Sequence, residues 1–336
     1  RLVGSEMCIR DRTNTPHGSS CSTTRSTRSA RVPPWTPPER THVNLDDQTR
    51  LGVGIIGTGK VGAVIGAALR GAGHAIVGVT GGSEATLDRA EAMLPGIPIL
   101  EVEEILERAE LVIFTVPDDQ LGDLVSGLAE LGRFSPGQIV MHFSGRYGAD
   151  ILAPAAARGA ITLALHPALS FTGTSMDLER LRRTSIAVTG PKTFLAIGQA
   201  LAVEIGGEPF VVAEADRALY HAACSHASNH VSVVIAQAME MLESIGIEDP
   251  GQVLGELVAA STSNVLRSGV RTLTGPVSRG DASTVRAHLT ALDETAGELA
   301  GTGDSYRAVA RATVQRALAN GTITDQQAQN ILDLLV

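Results

Sequence analysis

The sequence predicts an α/β protein in two parts, a parallel sheet wrapped by helices over residues 49–190 and an all-α domain over residues 191–336. Three observations carry that expectation. From Leu51 onward, short apolar runs alternate with helical segments, the pattern of parallel strands joined by helical crossovers. A glycine-rich turn, Gly57-Thr58-Gly59-Lys60-Val61-Gly62, separates the first run from the first helical stretch. After Pro191 the apolar period is helical almost throughout. At 336 residues and 43% hydrophobic, the chain is long enough for about two domains with a substantial core.

The elements are expected as follows. Residues 1–48 are rich in Ser, Thr, Arg and Pro, include Pro33-Pro34 and Pro37-Pro38, and lack sustained periodicity, so they read as a disordered or artefactual tail. Within it, Leu2 to Arg12 resembles a translated sequencing adapter. Strands are expected at 51–57, 75–80, 111–116, 138–143, 161–165 and 185–189, with helices at 60–72, 84–94, 102–109, 119–131 and 148–158. Asp118-Asp119 after Pro117 is expected to cap the fourth of these helices, since a carboxylate accepts from the free amides of a first turn. Beyond Pro191, helices are expected at 192–205, 216–245, 250–268, 281–299, 304–319 and 325–335, with Asp216, Asp281 and Thr324 as caps and a strand at 209–213.

Charge and cysteine usage narrow the function classes. A net charge of −9 without a Lys/Arg stripe argues against nucleic-acid and anionic-membrane partners, which require concentrated positive charge, and for a small molecule. No run of 18 apolar residues occurs, and the N-terminal stretch lacks the apolar core of a signal peptide, so the expected location is cytoplasmic. Of three cysteines, Cys8 and Cys21 fall in the tail, leaving Cys224 as a small buried residue. No C-x-x-C or H-E-x-x-H spacing points to a metal.

The glycine turn is G-x-G-x-x-G in the context that gives the pattern meaning: after a strand, opening a helix, before a second strand. This is the βαβ fingerprint of a Rossmann-type dinucleotide-binding domain. Gly57 permits the tight turn, Gly59 lets backbone approach a pyrophosphate, Gly62 lets helix pack on sheet, and the free amides at the helix start meet the phosphates. Thr58, Lys60 and Val61 complete the loop. At the end of the second strand no acid stands to receive a ribose diol. Thr80 and Ser83, with Arg89 nearby, suit a 2′-phosphate, so the expected cofactor is NADP(H). Val116 and Pro117, across the switch point, and Ser144 are further expected cofactor contacts.

Polar groups gather in four later places. His142-Phe143-Ser144-Gly145 and His166-Pro167-Ala168-Leu169-Ser170-Phe171-Thr172-Gly173 leave the carboxyl ends of late strands, the edge at which open α/β sheets bind ligands. On the long helix, Tyr220-His221 is followed by Ser225 and Asn229; His221, Ser225 and Asn229 recur at helical spacing on one face. Ala222, Ala223, Ala227, Val231 and Val234 make the remainder of that helix read as buried. Thr274-Gly275-Pro276-Val277-Ser278-Arg279-Gly280-Asp281 interrupts the helices, and Arg279 offers a planar fork for a substrate carboxylate. His288 lies two helical turns beyond Asp281 and is open between cleft and surface.

With these pieces quoted, residues 50–330 resemble the Rossmann-like proteins that carry a C-terminal domain of unknown function 2520. That family is similar in plan to pyrroline-5-carboxylate reductases, 3-hydroxyacid dehydrogenases and ketopantoate reductases. The resemblance implies NADPH-dependent reduction of a small keto acid, with 2-dehydropantoate as the specific expectation. It also implies that the position of Ser225, one turn before Asn229, corresponds to a lysine of hydroxyacid reductases. The catalytic set expected is therefore His166 or His221 as proton donor, Asn229 orienting the carbonyl, Arg279 on the carboxylate, and Ser225 at the lysine position. The alternatives are an imine reductase of the pyrroline-5-carboxylate type and an NADP-binding sensor or scaffold without turnover. A homodimer is expected because long Ala-rich helices in this architecture pair between subunits.

Overall fold

The structure is a computed structural model that describes residues 50–336; the tail, with Cys8 and Cys21, lies outside the described residues. The chain runs β1 (Gly52–Ile56), α1 (Lys60–Gly71), β2 (Ala75–Val79), α2 (Glu84–Met93), α3 (Val102–Arg108), β3 (Leu111–Phe114), α4 (Asp118–Glu130) and β4 (Ile139–His142). A 3₁₀ turn at Ala149–Leu152 and α5 (Ala153–Ala156) lead to β5 (Ile161–Pro167), α6 (Met176–Leu181), β6 (Ser185–Thr189), α7 (Leu195–Glu204) and β7 (Glu208–Val211).

These seven strands form one sheet in the order β2-β1-β3-β4-β5-β6-β7. Strands β1, β3, β4 and β5 are parallel, and Ile56, Phe114, His142 and Ala164 stand at one level across them. Side chains alternate between faces, as the strand period of two requires. Leu111 and Ile113 enter one buried cluster with Ile55, Val64 and Ile65, whereas Val112 and Phe114 enter another with Ile56, Leu121 and Val125.

Three sequence expectations need correction here. Strand β6 is antiparallel to β5, with Pro167 paired to Ile186 and His166 to Ala187. The connection between them holds only the short α6, so it turns back at the carboxyl edge instead of crossing the sheet. Second, the strand expected at 209–213 within the helical half is β7, which pairs with β6, and α7 packs on β5, β6 and β7. The sheet layer therefore continues past residue 190. Third, the helix expected at 148–158 is a 3₁₀ turn followed by four α-helical residues. Asp118 and Asp119 lie inside the first turn of α4, behind Pro117 at the cap position, and favour the helix through its dipole without a side-chain cap bond.

The helical half comprises α8 (Arg217–Ser225), a π-helical turn at His226–His230, α9 (Val231–Ser244), α10 (Pro250–Ser268), α11 (Ala282–Glu294), α12 (Thr302–Ala319) and α13 (Asp325–Leu332). Asp281 and Thr324 accept from the amides of Thr284 and Gln327, as expected of caps; Asp216 holds the cap position of α8 without a side-chain bond. Helices α11 to α13 share a core of Val285, Leu289, Val314 and Ile331. Helices α8 to α10 do not bury the apolar residues expected of them. Ala222, Ala223 and Ala227 are exposed, as are Val231 and Val234, and α9 has no buried residue. No described element of this chain covers that side.

Candidate functional site

The glycine loop has the shape a pyrophosphate requires. Gly57 takes φ +99, and a Cβ there would strike the backbone of Thr115 just past the end of β3. A Cβ at Gly62 would overlap the Gly57 carbonyl, to which the Thr115 hydroxyl also donates. Gly59 differs. Its φ of −67 suits any residue, and a Cβ there would meet nothing within 4 Å. Among the described residues no contact calls for glycine at 59; the space in front of it is open to a ligand. Behind it, α1 starts with no acidic residue and no side-chain cap, leaving its first amides to an anion. These residues fit a dinucleotide pyrophosphate.

The other expected cofactor residues are placed as follows. Thr58 is buried and donates to the Thr80 carbonyl, while the Thr80 hydroxyl accepts from the Gly57 amide at 2.8 Å; both threonines brace the loop. The Ser83 amide donates to Thr86 Oγ1 at 2.9 Å, which starts α2. Lys60 is exposed and Val61 half-buried at the head of α1. Val116 is half-buried and Pro117 exposed between β3 and α4. The Ser144 hydroxyl accepts from the amides of Arg146 and Tyr147, so it closes the turn after β4.

A second loop reaches the first. Gly173, at φ +84, lies so close to Lys60 and Arg89 that a Cβ would come within 2.9 Å of Arg89 Nε and 3.0 Å of Lys60 Cγ. Asp177, buried at the start of α6, accepts from the amides of Thr172 and Gly173 at 2.7 and 2.8 Å, and from the Thr172 hydroxyl and Arg180. Burial would raise the Asp177 carboxyl, but the Gly173 and Thr172 donors outweigh it and hold the group below the usual carboxylate range. The Ser170-to-Gly173 loop is thereby fixed against the glycine turn.

Beyond that loop is a cavity of about 390 Å³, lined by His166, Ala168, Leu169 and Ser170 from the sheet edge and by His221, Cys224, Ser225, Ala227, Ser228 and Asn229 from the helix. His166, His221, Ser225 and Asn229, separated by up to 63 positions in the chain, thus share one space. Gly145 is wedged between two imidazoles: a Cβ there would lie 2.6 Å from His221 Cδ2 and 2.8 Å from His166 Nε2. His166 Nδ1 is 2.8 Å from the Tyr220 hydroxyl. On the helix, Asn229 Nδ2 donates to Ser225 Oγ at 3.1 Å, and Ser228 Oγ donates to Asn229 Oδ1 at 3.2 Å. The π turn holds Ser228 and Asn229 and begins directly after Ser225, a local widening often found at functional sites. Cys224, expected to be buried, is half-buried and lines the cavity.

Both edge histidines are neutral near pH 7. Burial, with a smaller contribution from the Arg217 charge, brings His142 down to about 4 although its bond to Gly148 opposes this. His142 Nε2 donates to the Gly148 carbonyl and Nδ1 accepts from the Ser144 amide, so the ring is a brace beneath the loop. His166 is lowered to about 4 as well, chiefly by burial, then by Arg217, His221 and His142.

Arg279 is not brought to this cavity. It lies on an exposed recess with Leu273, Thr274, Ser278 and Thr322, because the loop that carries it packs against α12 and α13. His288 also stands elsewhere, bonded to the Tyr306 hydroxyl at 2.9 Å. Conversely, sequence reasoning passed over Arg217, which is 1% exposed and donates from Nε to Tyr147 O and from Nη2 to Ser144 O at 2.9 and 2.6 Å. It also passed over Glu214, whose carboxylate accepts from the amides of Ala149 and Asp150. Their partners are backbone groups more than sixty positions away, for which sequence offers no signal. Tyr220 was within the quoted motif, yet only its proximity to His166 gives it a role.

No curated protein matches the chain in sequence. Among solved structures, it is similar to a Bacteroides fragilis protein provisionally named an NADP oxidoreductase (18% identity, TM-score 0.64, 79% of this chain and 98% of that one). It is also similar to 1-pyrroline-5-carboxylate reductase from Streptococcus pyogenes (19%, 0.53, 80% and 99%) and to an imine reductase variant from Myxococcus stipitatus in complex with NAD+ (16%, 0.56, 85% and 99%). At these identities the likeness concerns the fold. Two family descriptions match in sequence, a Rossmann-like domain over residues 36–167 and a domain of unknown function, DUF2520, over residues 184–313. The order and content of both halves agree with the sheet and helices described, and the chain carries a Rossmann-like domain followed by DUF2520.

Proposed function

We propose that the chain is an NAD(P)-dependent oxidoreductase that reduces the carbonyl of a small keto acid with NADPH, 2-dehydropantoate being the first substrate to test. One observation carries this reading: the cavity that gathers His166, His221, Ser225 and Asn229 opens at the carboxyl edge of the sheet and is joined to the glycine loop by Ser170 to Gly173. A reduced nicotinamide, held by the glycine loop when bound, would supply the hydride for the carbonyl carbon. Asn229 and Ser225 orient the carbonyl, and His221 delivers the proton to the developing alkoxide. His166, neutral under these conditions, is not the proton reservoir. Arg279 is outside this arrangement, so the carboxylate contact expected of it is not part of the proposal. Arg89, beside Gly173 and Lys60, supports NADP over NAD as the partner of the loop.

We further propose a cytoplasmic homodimer. The exposed apolar residues Val231, Val233 and Val234 on α9 and Val253, Leu257 and Leu266 on α10 support it, since such a face is stabilised by a second copy. Among the described residues no helix is long and apolar enough to cross a membrane.

NADPH oxidation is followed with 2-dehydropantoate, a panel of other 2-keto acids and 1-pyrroline-5-carboxylate. Turnover on a keto acid supports the proposal. Turnover on the imine alone replaces it with imine reduction, and dinucleotide binding with no turnover replaces it with a sensor.

A further inference from the structure

The hydroxyl of Tyr220 is 2.8 Å from His166 Nδ1, and the two rings meet edge to face with centroids 5.5 Å apart. Tyr220 has few other places to be. Phe210 packs against it at 5.8 Å, and the Arg217 guanidinium lies over its ring at 5.7 Å. Two arrangements of the shared proton are open: the phenol donates to Nδ1, or Nδ1–H donates to the phenol oxygen. In the second the phenol proton needs another acceptor, and those at hand are the Cys224 sulfur, a weak acceptor, and the His166 carbonyl at 3.5 Å, the limit of a hydrogen bond. In the first the phenol proton is used at good distance. A neutral imidazole whose Nδ1 accepts must carry its proton on Nε2.

We propose that Tyr220 is a positioning residue that holds His166 in the Nε2–H tautomer, so that His166 offers the cavity a hydrogen-bond donor for a substrate carbonyl oxygen. The Nε2 edge lies beside Gly145, whose missing side chain keeps that edge clear; a Cβ there would come within 2.8 Å of it. Burial, helped by Cys224 alongside, pushes the Tyr220 phenol above its ordinary range, so it keeps the proton it donates. The groups facing the pair are Arg217, His142, His221 and Cys224. A neutral imidazole aimed at a carbonyl stabilises developing negative charge without losing its own proton. The donor also bears on substrate class. A carbonyl oxygen has lone pairs to accept from Nε2–H, whereas a protonated imine has none. The inference rests on the proposed reductase activity only for the identity of that acceptor.

The test uses the full chain labelled with ¹⁵N-histidine, with the His166 signal identified by its loss in His166→Asn. Long-range proton–nitrogen correlation at pH 7 is expected to show His166 unprotonated at Nδ1 and protonated at Nε2. In Tyr220→Phe, which keeps the ring contacts with Phe210 and Arg217, the tautomers are expected to mix. With a keto acid substrate, kcat is expected to fall about tenfold with the KM for NADPH unchanged, as for one lost hydrogen bond at the reacting group. A wild-type His166 protonated at Nδ1, or an unchanged tautomer in Tyr220→Phe, overturns the proposal. The spectra need no turnover, so the inference can fail while reductase activity stands, and activity can fail while the tautomer stands.

Discussion

The Arg217 guanidinium donates from Nη2 to the Ser144 carbonyl at 2.6 Å, tying α8 to the turn that leaves β4. With the bond from Nε to Tyr147 O, one buried side chain sets where Gly145 stands between His166 and His221. Its remaining nitrogen, Nη1, is buried with no hydrogen-bond partner among the described residues. Replacing it with methionine leaves two backbone carbonyls unpaired, and we expect Arg217→Met to lower the unfolding free energy by about 3 kcal/mol, read from urea titration. Arg217→Lys, lacking the fork, should recover less than half of that loss.

Gly59 and Gly62 should separate binding from folding. Gly59→Ala places a methyl in open space at an ordinary φ, so stability should stay within about 0.5 kcal/mol of wild type. The same methyl stands where the pyrophosphate approaches, and the Kd for NADPH should rise tenfold or more. Gly62→Ala meets the Gly57 carbonyl and Thr115 hydroxyl, and should cost about 1–3 kcal/mol of stability. Isothermal titration and denaturant unfolding of both variants check this; equal effects on stability would remove the assignment of Gly59 to the ligand.

Buried His142 makes stability depend on pH. Folded, it binds a proton only near pH 4, whereas an unfolded histidine does so near 6.5. Between those values the unfolded chain takes up the extra proton, so stability is fully present above pH 6.5 and is lost as pH falls toward 4. The loss from this residue should approach about 3 kcal/mol, at 1.36 kcal/mol per pKa unit. Unfolding measured from pH 7 to 4 should show that slope, and His142→Asn should remove its share while the contribution of His166, lowered in the same way, stays.

Arg89 should set cofactor preference. Its Nε stands next to Gly173 and Lys60, near the end of β2 where a 2′-phosphate is expected. Arg89→Ala should raise the Kd for NADPH about tenfold and leave that for NADH within twofold, as measured by fluorescence titration. Equal losses for both would assign Arg89 to the shared pyrophosphate.

The apolar face of α9 and α10 should be an interface between copies. Wild type should sediment as a dimer, and Leu257→Glu with Leu266→Glu should sediment as a folded monomer. A monomeric wild type would leave that face to another partner.

The sheet was legible because each strand is a short apolar run set off by helical periods, and Gly57 to Gly62 because the turn dictates its own residue types. The antiparallel β6 was not, since direction depends on whether the connection crosses the sheet, and Ala168 to Thr184 carry no mark of turning back. The polar face of His221, Ser225 and Asn229 was read from helical spacing, but the exposure of Ala222, Ala223 and Ala227 was missed. An apolar residue carries the same signal whether its own chain or another molecule covers it. Asp177 and Arg217 act on backbone groups, which look alike in every sequence.

The return of β5 into β6 makes the loop of Ser170 to Gly173 resemble a hairpin tip more than a crossover. The connection that carries it, Ala168 to Thr184, is anchored at both ends on adjacent strands at one edge, so its length and composition can change without reordering the sheet. Exchanging this segment among relatives should therefore reshape what the cavity accepts while leaving the glycine turn intact, which makes the loop the natural place to graft new substrate selectivity.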